Sequence, residues 1–243
     1  MTGDERMHPI HRISPEEKNM TEEDTTSRAL GHEPRCRPRH EPRRDLAAVL
    51  GDLRAVDGAV YAAVAATPTP TLDAGLRRLS AAADKSKISF GIAALMAVGG
   101  GRARRAAFLG VGAVAAASAS ANLLGKRLVR RARPDREAAR VSADRHVPMP
   151  TSASFPSGHT ASAVAFATAV GVVVPPAAIP LGALACAVGY SRVHTGVHYP
   201  GDVAAGAVLG VASAAAVLAL DALPFTTRMR LLKRLGSAVS SLT

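Results

Sequence analysis

ALACAVGYSRVHTGVHYPGDVAAGAVLG, residues Ala183 to Gly210, sets an arginine, two histidines and an aspartate between two almost unbroken runs of small apolar residues. Apolar runs of this kind read as helices buried on all sides, in a core or a bilayer. The polar island between them, Ser191 to Asp202, is then a turn at one end of a bundle, and it carries far more chemistry than a turn needs.

Working outward, five such runs occupy roughly Ser86 to Gly101, Ala106 to Gly125, Ser157 to Val174, Ala177 to Tyr190 and Val203 to Leu220. Each approaches the ~20 residues that cross a bilayer. Hydrophobic residues make up 48% of the 243-residue chain but aromatics only 3%, which favours helices packed closely through small side chains. Upstream, Leu46, Val49, Leu50, Leu53, Val56, Val60 and Val64 fall on one face of a helix over Leu46 to Ala66, with Asp52, Arg54 and Asp57 elsewhere. That segment is expected at a membrane interface, or as a sixth span if it inserts, and the TPTPT stretch after it ends the helix. The expected fold is all-α: a multi-helix transmembrane bundle of five or six spans, with its site at one membrane face.

Residues 1–44, rich in charge and proline, are expected to form a disordered tail; residues 45–225 form the helical domain and residues 226–243 a basic tail. The N-terminus shows no apolar segment followed by a small-residue cleavage site, so targeting is expected to rest on the later runs. Cys36 and Cys186 are poorly placed to pair. The formal charge of +11 suits anionic lipid or an anionic substrate. Nucleic acid is disfavoured, because zinc-ligand spacing is missing, stacking aromatics are scarce and the basic residues cluster at the ends of apolar runs.

If consecutive runs alternate direction, Lys126 to Phe155 and Ser191 to Asp202 share one end of the bundle, and the uncharged Pro175-Pro176 loop lies at the other. Lys126 and Arg133 are two helical turns apart in KRLVRRARP and are expected on one helix face, aimed at a phosphate. Ser157, Gly158 and His159 open the third run, where the backbone N–H groups of a helix N-terminus can point at an anion. His198 and Asp202 are four apart, so the carboxylate can hold one imidazole nitrogen, while Arg192 offers a planar fork to phosphate oxygens. Arg127, Arg130 and Arg131 read as interfacial charges, and His146 and His194 as structural or solvated histidines.

Lys126, six residues, Arg133-Pro134; Pro156-Ser157-Gly158-His159; and Ser191-Arg192, five residues, His198, three residues, Asp202 together resemble the signature of the type 2 phosphatidic acid phosphatase and vanadium haloperoxidase superfamily. The resemblance implies a metal-independent phosphatase without a cofactor. In it His198 would attack phosphorus to give a phosphohistidine, Asp202 would orient that imidazole, and His159 would protonate the leaving oxygen and then activate water. Lys126, Arg133, Arg192, the Ser157 hydroxyl and the Gly158 N–H would hold the phosphoryl oxygens. The expected substrate is a lipid phosphate of the phosphatidic acid, phosphatidylglycerol phosphate or polyprenyl phosphate type. Membrane lipids are the other expected partners, with no nucleic acid and no obligatory protein. A vanadium-dependent haloperoxidase and a non-enzymatic anion-binding or transport protein are the alternatives. Basic residues at Arg102, Arg104, Arg105, Arg228, Arg230, Lys233 and Arg234 favour a cell-membrane protein whose site faces outside the cytoplasm.

Overall fold

The computed structural model describes residues 45–125, 128–227 and 229–230. The expected N-terminal tail, Lys126, Arg127 and most of the basic C-terminal tail lie outside the described residues. Within them the chain is helical, without a strand: α1 (Leu46–Ala66), α2 (Pro70–Ala82), α3 (Lys87–Val98), α4 (Gly101–Ser120), α5 (Gly158–Val173), α6 (Ala178–His194) and α7 (Pro200–Ala222). The five apolar runs are α3 to α7, one helix each. A π turn, Ala121–Gly125, extends α4, and short 3-10 turns occupy Asp84–Ser86, Ala143–Arg145 and Pro175–Ala177.

Local chemistry sets the helix starts that matter for the site. Ser157 caps α5, its hydroxyl accepting from the Thr160 N–H. α7 starts with Pro200, whose fixed φ suits a first helical position, and Asp202 reaches back to accept from the Tyr199 N–H at 2.9 Å. That hydrogen bond fixes the Asp202 carboxylate at the mouth of its own helix.

α5 is the hub, packed against α4, α6 and α7. The contact runs through alanines: Ala113 and Ala117 of α4, Ala161, Ala165 and Ala169 of α5, and Ala214 of α7 form one buried cluster. Side chains this small let backbones touch. A Cβ added at Gly206 or Gly210 of α7 would lie 2.5 Å from the carbonyl oxygen of Ser157 or Ala161, so these glycines seat α7 directly on α5. A larger-residue cluster, with Phe166 and Val170 of α5 against Ala106, Ala107 and Val114 of α4 and Ala93 of α3, closes the other side.

Two stretches, Gly101–Leu123 and Pro200–Ala222, are long and apolar enough to cross a membrane, each of 23 residues with mean hydropathy 1.5 and 2.3. α3, α5 and α6 have only 12, 16 and 17 residues. At ~1.5 Å per residue even the longest of these three falls short of a ~30 Å hydrocarbon layer. Helix length therefore supports fewer full spans than the five or six expected, because the runs lose residues to the turns that join them.

α1 lies against the end of the bundle through Tyr61 and Ala65, which cluster with Val141 and Val193 and pack beside Tyr199. Leu50, Leu53, Val56 and Val60, four residues of the expected apolar face, point away from the protein. The face α1 presents to its own chain is the one that carries Asp57, Tyr61 and Ala65, while Asp52 and Arg54 are exposed along with the apolar residues.

Candidate active site at one end of the bundle

The alternation of the runs brings the polar islands together as expected. Behind Arg192 the chain leaves α6 in a tight turn: the Arg192 carbonyl accepts from both the Val197 and the His198 N–H, at 3.1 and 3.2 Å. This turn carries His198 back over the start of α7, where His198 and Asp202 are both buried. His198 Nδ1 lies 3.6 Å from Asp202 Oδ2. Ser154, unnoticed in the sequence, stands between them: its hydroxyl donates to Asp202 Oδ2 in a very short hydrogen bond and lies 3.4 Å from His198 Nδ1.

On the other side of the ring, Arg133 Nη1 approaches His198 Nε2 at 3.4 Å. A guanidinium only donates, so Nε2 is the ring's lone-pair side and the Nδ1 proton faces Asp202 and Ser154. Burial, reinforced by the Arg133 and Arg192 charges, pulls the His198 pKa below the usual histidine range, and Asp202 opposes that only in part. The imidazole is therefore held neutral, with an available Nε2.

Arg133 reaches this position from an unexpected backbone. The helix stops around the π turn at Gly125 and Leu128, and residues 129–135 are irregular, so Arg133 is not carried on the helix face that the spacing suggested. It is anchored by carbonyls instead, donating to Val197 O at 2.7 Å, Ser152 O at 2.9 Å and Ala153 O at 3.3 Å. Lys126 lies outside the described residues. Arg131 corrects the reading of that stretch: it is no interfacial charge, since its Nη1 donates to Asp202 Oδ1 at 3.0 Å and its Nη2 pairs with Asp57 of α1 at 2.6 Å.

At the start of α5, Ser157 is tied to α7 by its N–H, which donates to the Asp202 carbonyl at 2.9 Å. The Gly158 N–H opens the first turn of α5, where helix N–H groups lack intrahelical partners. His159, one residue on, pairs through Nε2 with Asp84 Oδ1 at 3.0 Å and stands within electrostatic reach of Arg192 and His198. The His159 hydrogen bond holds the Asp84 carboxyl below its usual pKa range. Arg192 is buried and donates through Nη1 to the Ser80 hydroxyl at 2.6 Å, leaving its Nε without a partner among the described residues. Together with Ser80, Asp84, Lys87 and the Val147–Pro150 loop it lines an open cleft of about 460 Å³.

The structure thus brings Arg133, His198 and Asp202 into one contact network, joins Ser157 to Asp202 through the backbone, and sets Arg192 on the adjoining cleft beside Asp84, the partner of His159. His194 faces elsewhere, in a buried clasp with Asp73 at 3.0 Å and Thr69 at 2.9 Å that also holds Arg145. That is the structural role expected for a lone histidine.

Residues 106–223, just under half of the chain, match the PAP2 superfamily. Over 118 residues the chain is 42% identical to the decaprenylphosphoryl-5-phosphoribose phosphatase of Mycobacterium tuberculosis, covering 47% of this chain and 61% of that protein. It is 41% identical over 108 residues to the protein of the same name from Mycolicibacterium smegmatis, covering 43% and 54%. The match therefore spans little more than half the length of these curated relatives. Among solved structures, the transmembrane PAP2-type phosphatidylglycerolphosphate phosphatase of Bacillus subtilis superposes with a TM-score of 0.56 at 24% identity, covering 72% of this chain and 89% of that one. LpxE of Aquifex aeolicus gives 0.55 at 22%, covering 67% and 94%. At these identities the likeness shows a shared fold.

Proposed function

We propose that this protein is a PAP2 superfamily member, an integral membrane phosphatase that hydrolyses a lipid phosphate through a phosphohistidine intermediate. The observation that carries the reading is the setting of His198: neutral, with Nε2 beside the Arg133 guanidinium and Nδ1 toward the Asp202 carboxylate. A phosphoryl group drawn to Arg133 arrives in front of the one ring nitrogen that can attack it.

In the proposed reaction the phosphoryl oxygens are held by Arg133, Arg192, Lys126, the Ser157 hydroxyl and the Gly158 N–H. The orphaned, buried Arg192 Nε is a donor suited to such an anion, since leaving it unpaired costs about 1–3 kcal/mol. His198 Nε2 forms the bond to phosphorus as the P–O bond to the leaving group breaks, and Asp202 balances the charge that the imidazole acquires. His159 gives its proton to the leaving oxygen, then takes one from the water that attacks the phosphohistidine, releasing phosphate and restoring His198. The carboxylates here, Asp202 and Asp84, are already engaged by Arg131, His198 and His159, and no cluster of three acidic, histidine or cysteine ligands occurs among the described residues, so the reaction is proposed to need no metal.

The relatives name a polyprenyl-linked phosphosugar and one structural neighbour a phosphatidylglycerol phosphate; both join a phosphomonoester to a long apolar tail. A site at the ends of apolar helices can take such a headgroup while the tail stays among lipids. Five or six membrane-embedded helices, of which α4 and α7 are long enough to cross in full, a cell-membrane location and an outward-facing site belong to the same proposal. The test is phosphate release from a panel of lipid phosphates in detergent, with His198→Ala as control and EDTA and vanadate as additions. We expect release that EDTA spares, vanadate blocks and His198→Ala abolishes. Release that survives His198→Ala, or bromide oxidation dependent on vanadate, would replace the proposal.

A further inference from the structure

Asp202 spends its two carboxylate oxygens differently. Oδ2 serves the Tyr199 N–H, the Ser154 hydroxyl and the His198 side; Oδ1 takes the Arg131 guanidinium at 3.0 Å. Arg131 is itself gripped on two sides. Its other terminal nitrogen pairs with Asp57 Oδ2 at 2.6 Å, and its guanidinium carbon lies 4.0 Å from the centre of the Tyr199 ring, in cation–π contact. Asp57 adds a second tie, its Oδ1 accepting from the Gly201 N–H at 2.6 Å in the first turn of α7. One side chain of α1 therefore caps the helix that bears Asp202 and also clamps the cation that holds Asp202.

We propose that Arg131 and Asp57 are positioning residues for the reaction, holding Asp202, and through it His198, from helix α1. The proposal rests on the phosphohistidine reading given above. Neither residue reaches the phosphoryl group; both set where the Asp202 carboxylate lies and how much of its charge His198 feels. The groups facing His198 and Asp202 are Arg133 and Arg131 from the 128–135 segment, Arg192 from α6, Ser154, Asp57 from α1, and His159 at the start of α5. Among them Arg131 is the cation that shares Asp202 with the nucleophile.

The sign of the effect follows. Removing the Arg131 charge leaves Asp202 acting on His198 alone, which favours the imidazolium and moves the acidic limb of the rate profile to higher pH. Replacing Asp57 by Asn keeps an oxygen to accept from the Gly201 N–H but removes the anion that balances Arg131. More of the Arg131 charge then falls on Asp202, and the limb does not rise.

The experiment measures kcat, KM and the pH profile of kcat/KM for wild type, Arg131→Gln, Arg131→Lys, Asp57→Asn and the double variant, with Arg130→Gln as control. We expect Arg131→Gln to lose about tenfold or more in kcat, as outer partners of functional groups commonly do, with KM little changed and the acidic limb raised by about half a unit or more. Arg131→Lys restores the limb and part of kcat, Asp57→Asn lowers kcat without raising the limb, and the double variant is no worse than Arg131→Gln alone. Wild-type rates for Arg131→Gln, or a loss with an unmoved limb that Lys does not rescue, would overturn the proposal. Histidine-ring NMR in detergent, with His198→Ala assigning the resonance, reads the same shift without turnover. A chain that releases no phosphate would sink the phosphatase reading, while the His198 titration in Arg131→Gln still decides the positioning one.

Discussion

His159 Nε2 and Asp84 Oδ1 meet at 3.0 Å although 75 residues separate them in the chain. The Asp84 anion offsets part of what burial and the Arg192 guanidinium take from the imidazolium that a proton donor needs. Asp84→Asn is expected to lower turnover of a lipid phosphate several-fold, within the roughly 10²–10⁴-fold that general acid catalysis supplies. p-Nitrophenyl phosphate, whose leaving group needs little protonation, should lose less. Equal losses on the two substrates would deny Asp84 any part in proton transfer.

The lowered pKa of His198 sets the second expectation. Attack requires the neutral ring, and burial with Arg133 and Arg192 nearby keeps it neutral to lower pH than a free histidine. Activity should therefore persist as pH falls, with the acidic limb of kcat/KM centred below the unperturbed value of about 6.5. A limb centred above that value would show that Asp202 outweighs the burial of the ring.

Arg133 and Arg192 each use a planar fork: Arg133 spans the Ser152, Ala153 and Val197 carbonyls, and Arg192 sits over Ser80 with Nε unpaired. An ammonium cannot reproduce that geometry. Arg133→Lys and Arg192→Lys should each lose most activity although charge is kept, whereas Arg130→Lys, on an exposed position, should be nearly silent. Steady-state rates for the three variants decide it, and indistinguishable rates would count against the anion pocket as drawn.

The seat of α7 on α5 predicts a stability effect. Gly206→Ala and Gly210→Ala each push a methyl group to within 2.5 Å of a backbone oxygen, and backbone cannot swing aside. Overpacking of this kind costs about 1–3 kcal/mol or more. Gly182→Ala, in α6 with open space around it, should be neutral or stabilising. Thermal unfolding in detergent checks the order, and Gly206→Ala should also lose activity because it displaces the Ser157 carbonyl next to the site.

Much of this was written in the chain. The five apolar runs each became a helix, and the Pro175-Pro176 pair marks the loop at the far end because proline ends one helix and starts the next. His198 and Asp202, four apart, met as the spacing implied. What the spacing misjudged was Arg133, since a seven-residue interval reads as one helix face only while the helix continues, and this one stops first. Arg130 and Arg131 are indistinguishable in a list of charges; only the fold shows that Arg131 meets Asp57 and Asp202. Asp57, Asp84 and Ser154 gave no sequence signal either. Their partners lie 44 to 144 residues away, and a polar residue on an amphipathic helix or in a loop looks solvated until its distant partner is placed.

The enclosure of α5 by α4, α6 and α7 also divides mechanical duties within the bundle. A helix surrounded by protein need not match the width of the surrounding lipid, and 16 residues suffice for it. In the proposed membrane setting, thickness is met instead by α4 and α7, the two helices long and apolar enough to cross, which can adjust by tilting. Because the Ser157 N–H is bonded to the Asp202 carbonyl, the mouths of α5 and α7 move together when α7 tilts. A thinner or thicker host membrane would therefore shift the depth at which the reacting groups sit beneath the headgroups, while the distances among them stay as they are.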